Sequence, residues 1–257
     1  MFYQIIQYIK FLLKSTNQHG VHSPFVYNLV TKCFYDKTKH EDYHKIEGFK
    51  RRLKRVNLKI NVTDFGVGSQ KFKSKTRKIS DIVKHVSISK KNAKLLYRIT
   101  KYFEFNSILE LGTSLGFATQ SLSLGNPKSE ITTIEGCPKI SNYTKTHFNL
   151  LLLDNVKQIT GNFNDEIKKL TSNTYDFIFF DGNHQKEATL SYFESLLKTT
   201  HNDSIFIFDD IYWSEGMTEA WKTIKKHPKV TVTIDTFYWG FVFFRKEQLK
   251  EDFVIRV

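Results

Sequence analysis

From Ser107 onward the chain alternates between short apolar runs and amphipathic stretches, and this constrains the fold more than any other feature. Runs at 107–111, 130–135, 156–160, 175–180 and 204–209 read as strands. The stretches at 116–124, 138–151, 164–171, 186–197 and 215–227 read as helices. Alternation of this kind means a parallel sheet with helices on both faces. Near the C-terminus the pattern changes: Val230–Phe237 and Trp239–Phe244 are both strand-like, with no room for a helix between them. They are expected to pair antiparallel as a hairpin at one end of the sheet. The predicted class is α/β, a doubly wound and mostly parallel sheet with a C-terminal antiparallel hairpin.

The residues before Ser107 are of another character. Residues 1–100 carry 22 Lys and Arg against 6 Asp and Glu, a net of +16, while residues 101–257 carry 17 against 20, a net of −3. The overall charge of +13 therefore belongs to the first part, which suits phosphates, nucleic acid or anionic headgroups, or else is a lysine-rich solvated surface. Phe2 to Leu13 is apolar on nearly every face and reads as a buried or docking helix, with neither the basic flank nor the cleavage site of a signal peptide. Ser23-Pro24 is a helix start, a hydroxyl cap followed by proline at the first helical position, for a helix running to about Tyr35. His19 and His22 just before it lack partners at ligand spacing and read as turn or cap residues. A basic helix is expected over Glu41–Val56, with Lys50, Arg51, Arg52, Lys54 and Arg55 too dense to be buried. Asp64-Phe-Gly-Val-Gly-Ser69 reads as a glycine loop, either ordinary or a lid over a substrate. Ser89 can cap a helix from Lys90 to Phe103 that leads into the alternating region. The expected division is a basic, mainly helical segment, 1–89, and a catalytic domain, 90–257. Cys33 and Cys137 are isolated, fit no metal spacing and suit a reducing compartment. No apolar run approaches the roughly 20 residues that span a bilayer, so the expected location is the cytoplasm.

Chemistry concentrates at the C-terminal ends of the predicted strands. In Ser107-Ile-Leu-Glu-Leu-Gly-Thr-Ser-Leu-Gly116 a strand runs through a glycine turn into a helix, an arrangement that presents backbone N–H groups to a ligand. Gly112 allows close approach and Gly116 tight helix–strand packing. The second strand ends in Glu135, 19 residues after Gly116, where a carboxylate can accept from both hydroxyls of a ribose. A dehydrogenase turn of the G-x-G-x-x-G kind is disfavoured, because Ser114 stands where the second glycine belongs.

Glu110-Leu-Gly-Thr-Ser-Leu-Gly-Phe-Ala-Thr119 resembles the first motif of class I S-adenosylmethionine (SAM) methyltransferases. It is most similar to the O-methyltransferase branch typified by the catechol and caffeoyl-CoA enzymes, which add a terminal hairpin to a Rossmann-like sheet. The resemblance covers roughly residues 90–245. It implies that Glu110 orients the amino-acid end of SAM, with Gly112, Thr113, Ser114 and Gly116 lining its path and Glu135 holding the ribose. Asn162 and Phe163, after the third strand, would stand at the adenine, although Asn162 departs from the acid often found there.

Strands four and five end in Asp181-Gly-Asn-His184 and Asp209-Asp210. Carboxylates converging at that edge need a cation to offset their repulsion, and hard oxygen ligands suit Mg²⁺. Metal-dependent members of the family carry acids at these places, which implies Asp181, Asp209 and Asp210 as ligands that bind and acidify a substrate hydroxyl. Alternatively Asp181 contacts SAM or a loop, and Asp209 or Asp210 caps the helix beginning near Ser214. Asp181 and His184 are the candidate catalytic pair, with His184 the general base or a structural residue. Tyr212, Trp213, Tyr238 and Trp239 either wall an aromatic substrate or pack in the core.

The favoured expectation is SAM-dependent O-methylation of a hydroxylated small molecule, with Mg²⁺ assistance. The alternatives are an RNA ribose methyltransferase gripping phosphates with residues 1–90, and a catalytically silent SAM-binding interaction module. A homodimer is compatible with each. The acceptor itself is not encoded in any motif.

Overall fold

The computed structural model describes residues 2–63, 74–85 and 87–257. The glycine loop at 64–69 lies outside the described residues. In chain order the first elements are helices α1 (Phe2–Lys14), α2 (Pro24–Leu29) and α3 (Tyr43–Leu53), strands β1 (Lys59–Asn61) and β2 (Thr76–Lys78), and helices α4 (Ile79–His85) and α5 (Lys90–Phe103). There follow β3 (Ser107–Leu111), α6 (Phe117–Gly125), β4 (Glu130–Glu135), α7 (Pro138–Leu150), β5 (Val156–Thr160) and α8 (Phe163–Leu170). The chain continues through β6 (Phe177–Phe180), α9 (Lys186–Leu196), β7 (Ile205–Asp209), α10 (Glu215–Lys226), β8 (Val232–Asp235), β9 (Trp239–Phe243) and β10 (Glu251–Val254). The architecture is the expected α/β one, with mostly parallel strands flanked by helices and an antiparallel hairpin.

Two compact units divide the chain, residues 36–166 and the discontinuous set 1–35 with 167–257. The expected boundary at residues 89/90 falls inside the first of these.

In the 36–166 unit β3, β4 and β5 pair in parallel, with Ser107 beside Glu130 and Ile131 beside Val156. Ile108, Leu109, Leu111, Ile131 and Ile134 are buried, so the sheet is covered on both faces as apolar parallel strands require. β1 and β2 form a small antiparallel ribbon. Helix α5 begins at the expected cap, where the Ser89 hydroxyl accepts from the Asn92 N–H at 3.0 Å.

Helix α3 corrects the sequence expectation. Arg51 and Arg52 are exposed, but Lys50 is buried. Its ammonium donates to the Ile88 carbonyl and stands 4.5 Å from the centre of the Phe117 ring. Helical spacing turns this one residue of the basic run inward beside Ile46, Phe49 and Leu53, and the long stem carries the charge to a polar partner.

In the other unit β6 and β7 are parallel, β9 runs antiparallel to β7, and β8 antiparallel to β9. The hairpin does not end this row, because β10 adds in parallel beyond β8. Its sequence, Glu-Asp-Phe-Val, buries only Phe253, which is why no apolar run announces it. Residues next to β10 hold the N-terminal segment: Thr16 N–H donates to the Val254 carbonyl at 2.9 Å, and Arg256 N–H to the Thr16 carbonyl at 3.0 Å. The Tyr35 hydroxyl donates to the Arg256 carbonyl at 2.6 Å.

Ser23 caps α2 as expected, but the regular helix stops at Leu29. Residues 30–34 continue in a wider turn, with Tyr35 N–H reaching back to the Val30 carbonyl at 2.9 Å. Helix α1 buries only Phe11, and Phe2 and Leu13 are largely exposed, contrary to a buried helix. No helix among the described residues is long and apolar enough to cross a membrane.

Lys50 supplies a test. Burial, then the neighbouring charges of Lys54 and Lys90, lower its pKa from the ordinary lysine value to about 8. Between about pH 8 and about pH 10.4 the unfolded chain therefore binds more protons at this residue than the folded one, and stability rises with pH. Urea unfolding is expected to show that rise in the wild type and a smaller one in Lys50→Met.

Candidate functional site

The glycine turn after β3 is built around a buried carboxylate. Glu110 is fully buried, and its Oε2 accepts from the hydroxyls of Thr119 and Thr133, each at 2.5 Å. Thr119 comes from α6 and Thr133 lies beside Glu110 on β4, so one oxygen ties three elements together. Oε1 is buried with no hydrogen-bond partner among the described residues. Burial pushes the Glu110 pKa up to about 7, against the pull of the two hydroxyls, and Glu135 adds repulsion.

The turn itself needs unusual backbone. Gly112 has φ of 110°, Ser114 47° and Gly116 75°. Gly112 and Thr113 N–H groups both donate to the Ile134 carbonyl, at 3.0 and 3.1 Å, which fixes the turn against the end of β4. A Cβ at Gly116 would stand 2.4 Å from the Phe148 ring and 2.9 Å from Thr144, so glycine here admits helix α7. The Thr113 hydroxyl bonds that of Thr133 at 2.6 Å.

Glu135 ends β4 and faces the same turn. Its Oε2 accepts from Ser114 N–H and its Oε1 from Cys137 N–H, each at 2.8 Å. These two bonds orient the carboxylate at the end of β4. After β5 the side chain of Asn162 accepts from Asn164 N–H at 2.9 Å and so caps α8, whose first residue is the half-buried Phe163. All eight residues expected at the cofactor thus lie in the 36–166 unit, and six of them meet around the turn.

The expected acids lie in the other unit. Asp181, His184 and Asp209 offer one ligand atom each, all within 4.8 Å of one another. His184 Nε2 is 3.8 Å from Asp181 Oδ1. Asp210 is not in this group; it adopts φ of 54°, and its carbonyl accepts from Trp213 N–H at 2.8 Å. Burial raises the pKa of Asp209, and the charge of Asp210 adds to the rise, while hydrogen bonds from Asp181 and Trp239 oppose it. Burial likewise raises Asp210, with His184 pulling the other way. Two carboxylates and an imidazole converging within such a span fit a divalent cation by donor chemistry. The alternative role of capping α10 is taken by Ser214, whose hydroxyl accepts from Met217 N–H at 3.1 Å.

The four aromatic candidates separate. Trp239 is buried in β9, Tyr212 stacks on Phe237 and donates to Asp235 at 2.5 Å, and Tyr238 is exposed. Trp213 is half-buried. Thr133, which sequence reasoning passed over, is read only from strand register, since nothing in a lone strand threonine points to a carboxylate.

Comparison with known proteins gives a consistent answer. Residues 109–211 match the family described as a methyltransferase domain. The chain is 22% identical over 134 residues to a catechol O-methyltransferase of Mycobacterium tuberculosis, which covers 51% of this chain and 60% of that protein. The chain thus spans less than two thirds of the length of that curated relative. A SAH-bound methyltransferase of Podospora anserina superposes with a TM-score of 0.62 at 15% identity, covering 88% of this chain and 97% of that one. An O-methyltransferase from Bacillus cereus in complex with SAH gives 0.55 at 18% identity, over 81% and 91%. At these identities the structural likeness speaks for the fold.

Substituting Gly116 probes the turn apart from any ligand. Gly116→Ala is expected to cost about 2 kcal/mol or more, from strain at positive φ and overlap with Phe148. Phe148→Leu in the same chain is expected to recover part of that loss, as read by denaturant unfolding.

Proposed function

We propose that the chain is a class I methyltransferase that transfers a methyl group from SAM to a hydroxyl oxygen of a small molecule, a reading supported by the match of residues 109–211 to a methyltransferase domain family. The observation that carries the reading is the orphaned Oε1 of Glu110, a buried carboxylate oxygen beneath a glycine turn. An unpaired buried acceptor is costly, and a ligand ammonium group meets that need. When bound, SAM supplies a sulfonium-activated methyl group open to in-line attack by an oxygen.

Each residue then has a defined task. Glu110 accepts from the amino group of the ligand, and Glu135, already oriented by the Ser114 and Cys137 amides, accepts from the ribose hydroxyls. Gly112 to Gly116 let the backbone approach the ligand between them. Asn162 and Phe163 are assigned to the adenine, the amide by its remaining hydrogen-bonding capacity and the ring by contact. Catalysis of this kind is chiefly positioning of donor and acceptor.

Asp181, His184 and Asp209 are assigned to the acceptor side. These residues would hold a divalent cation, Mg²⁺ or a metal more tolerant of imidazole, which would lower the pKa of the substrate hydroxyl. Asp210 acts on the group through its charge, and His184 is either a ligand or the base that removes the hydroxyl proton. The acceptor is taken as a small molecule in preference to RNA because the curated relative is a catechol O-methyltransferase.

Calorimetric titration with S-adenosylhomocysteine tests the donor half. Binding of about micromolar strength is expected, weakened about tenfold or more in Glu110→Gln. Since burial sets the Glu110 pKa at about 7, its charged form grows with pH through neutrality. Affinity is therefore expected to climb from about pH 6 to about pH 8, and to stay level in the Gln variant. Absence of binding under any of these conditions would remove the proposal. For the acceptor half, Mn²⁺ or Mg²⁺ uptake is expected in the wild type and lost in Asp181→Asn/Asp209→Asn, with S-adenosylhomocysteine binding retained.

A further inference from the structure

A cavity of about 700 Å³ opens in the 36–166 unit between α3, the end of α6 and the loop that enters β5. That volume suits one drug-sized or nucleotide-sized ligand. The loop, Leu151 to Asn155, directly precedes β5, so the cavity lies towards the N-terminal ends of the strands. The glycine turn follows the C-terminal end of the parallel β3. The cavity and the turn therefore occupy opposite edges of β3–β5, and nothing in the methyl-transfer reading uses the cavity.

Three features of its lining are unexplained by the protein alone. Gln120, on α6, is only 2% exposed, yet its side chain makes no hydrogen bond to any described residue, and Oε1 is wholly buried. The neighbouring polar groups satisfy each other instead: the Ser123 hydroxyl donates to Asn155 at 2.6 Å, and the Asn155 amide to the Ser129 carbonyl at 2.9 Å. An unpaired buried amide is costly to the fold.

Gly48 sits within the 11-residue helix α3, where glycine is a poor helix former. A Cβ there would meet nothing within 4 Å, so no packing demand keeps it small. What its absent side chain preserves is the open space.

Arg51 and Arg52, exposed on the same helix, have no carboxylate within ion-pair distance among the described residues, and Arg52 lies 5.9 Å from the Phe49 ring centre. Lys45, also in the lining, is paired with Asp42 at 2.7 Å. Asp154, at the exposed rim, is the carboxylate of the lining, and Leu124 and Leu151 to Leu153 supply an apolar wall.

We propose that this cavity is a second ligand site, for a small organic phosphate with a flat apolar body and a hydrogen-bonding edge, such as a purine nucleoside monophosphate. Planar guanidinium groups match phosphate oxygens bidentately. The leucine wall takes the face of the base. The Gln120 amide nitrogen, which has no partner among the described residues, offers donors to a ring nitrogen of a purine. Asp154 at the rim accepts from a sugar hydroxyl.

The test is calorimetry with AMP, with adenosine and inorganic phosphate as separate probes, in the absence and presence of saturating S-adenosylhomocysteine. One AMP per chain is expected in both conditions, bound about tenfold or more tightly than either fragment. Arg51→Ala/Arg52→Ala is expected to weaken AMP about tenfold. Gly48→Leu, which places a good helix former into open space, is expected to abolish AMP binding without lowering Tm or altering S-adenosylhomocysteine binding. Four results would overturn the site: no AMP binding up to about 10 mM, displacement of AMP by S-adenosylhomocysteine, phosphate binding as strongly as AMP, or unchanged AMP affinity in Gly48→Leu. Failure of S-adenosylhomocysteine to bind would count against the methyl-transfer reading and leave the AMP titration alone to decide this one.

Discussion

A carboxylate buried without full compensation is the constraint around which the 36–166 unit is arranged. Glu110 gathers the hydroxyls of Thr119 and Thr133, and through them joins β3 to α6 and β4. The same three elements define the glycine turn, which is pinned to the Ile134 carbonyl by two amides. An apolar residue at position 110 would pack with less electrostatic cost. What the acid provides instead is one oxygen committed to structure and one left over, and an enclosed, partly dehydrated acceptor of that kind discriminates strongly for a cationic partner.

The legible parts of the chain were those where local chemistry and burial agree. Strands β3, β4 and β5 run over the residues read as apolar runs, and Ser23 and Ser89 cap the helices their hydroxyls announce. Gly112 and Gly116 stand out because the turn demands glycine at those places, whereas the roles given to Glu110, Thr113 and Ser114 came from the family resemblance alone. Legibility failed where tertiary contacts decide. Lys50 looks like its basic neighbours and is distinguished only by the helix face it occupies and by a carbonyl 38 residues away. Strand β10 is short and acidic at its start and owes its conformation to pairing with β8. His184 groups with Asp181 and Asp209 while the adjacent Asp210 takes a left-handed backbone, and no spacing rule foretells either.

Helix α3 shows how one basic segment serves several purposes. Lys50 anchors it inward, against Phe117 at the start of α6 and the carbonyl before α5. Arg51 and Arg52 project outward from the next positions, and Gly48 leaves a gap beside them. The high positive charge of the first hundred residues is therefore not a uniform coat. Part of it is structural, and part borders a concave surface lined by leucine and an unsatisfied amide.

The bonds joining Thr16 and Tyr35 to residues 254–256 carry a consequence for biosynthesis. The 36–166 unit is continuous, so every contact it needs has left the ribosome well before translation ends, and it is free to fold first. The 1–35 segment is made before that unit but finds partners at residues 254–256, which are made after it. Until then α1, with Phe2, Ile5, Ile9 and Leu13 outward, is an apolar helix awaiting its tether. A segment made early is thus secured by residues made more than two hundred positions later.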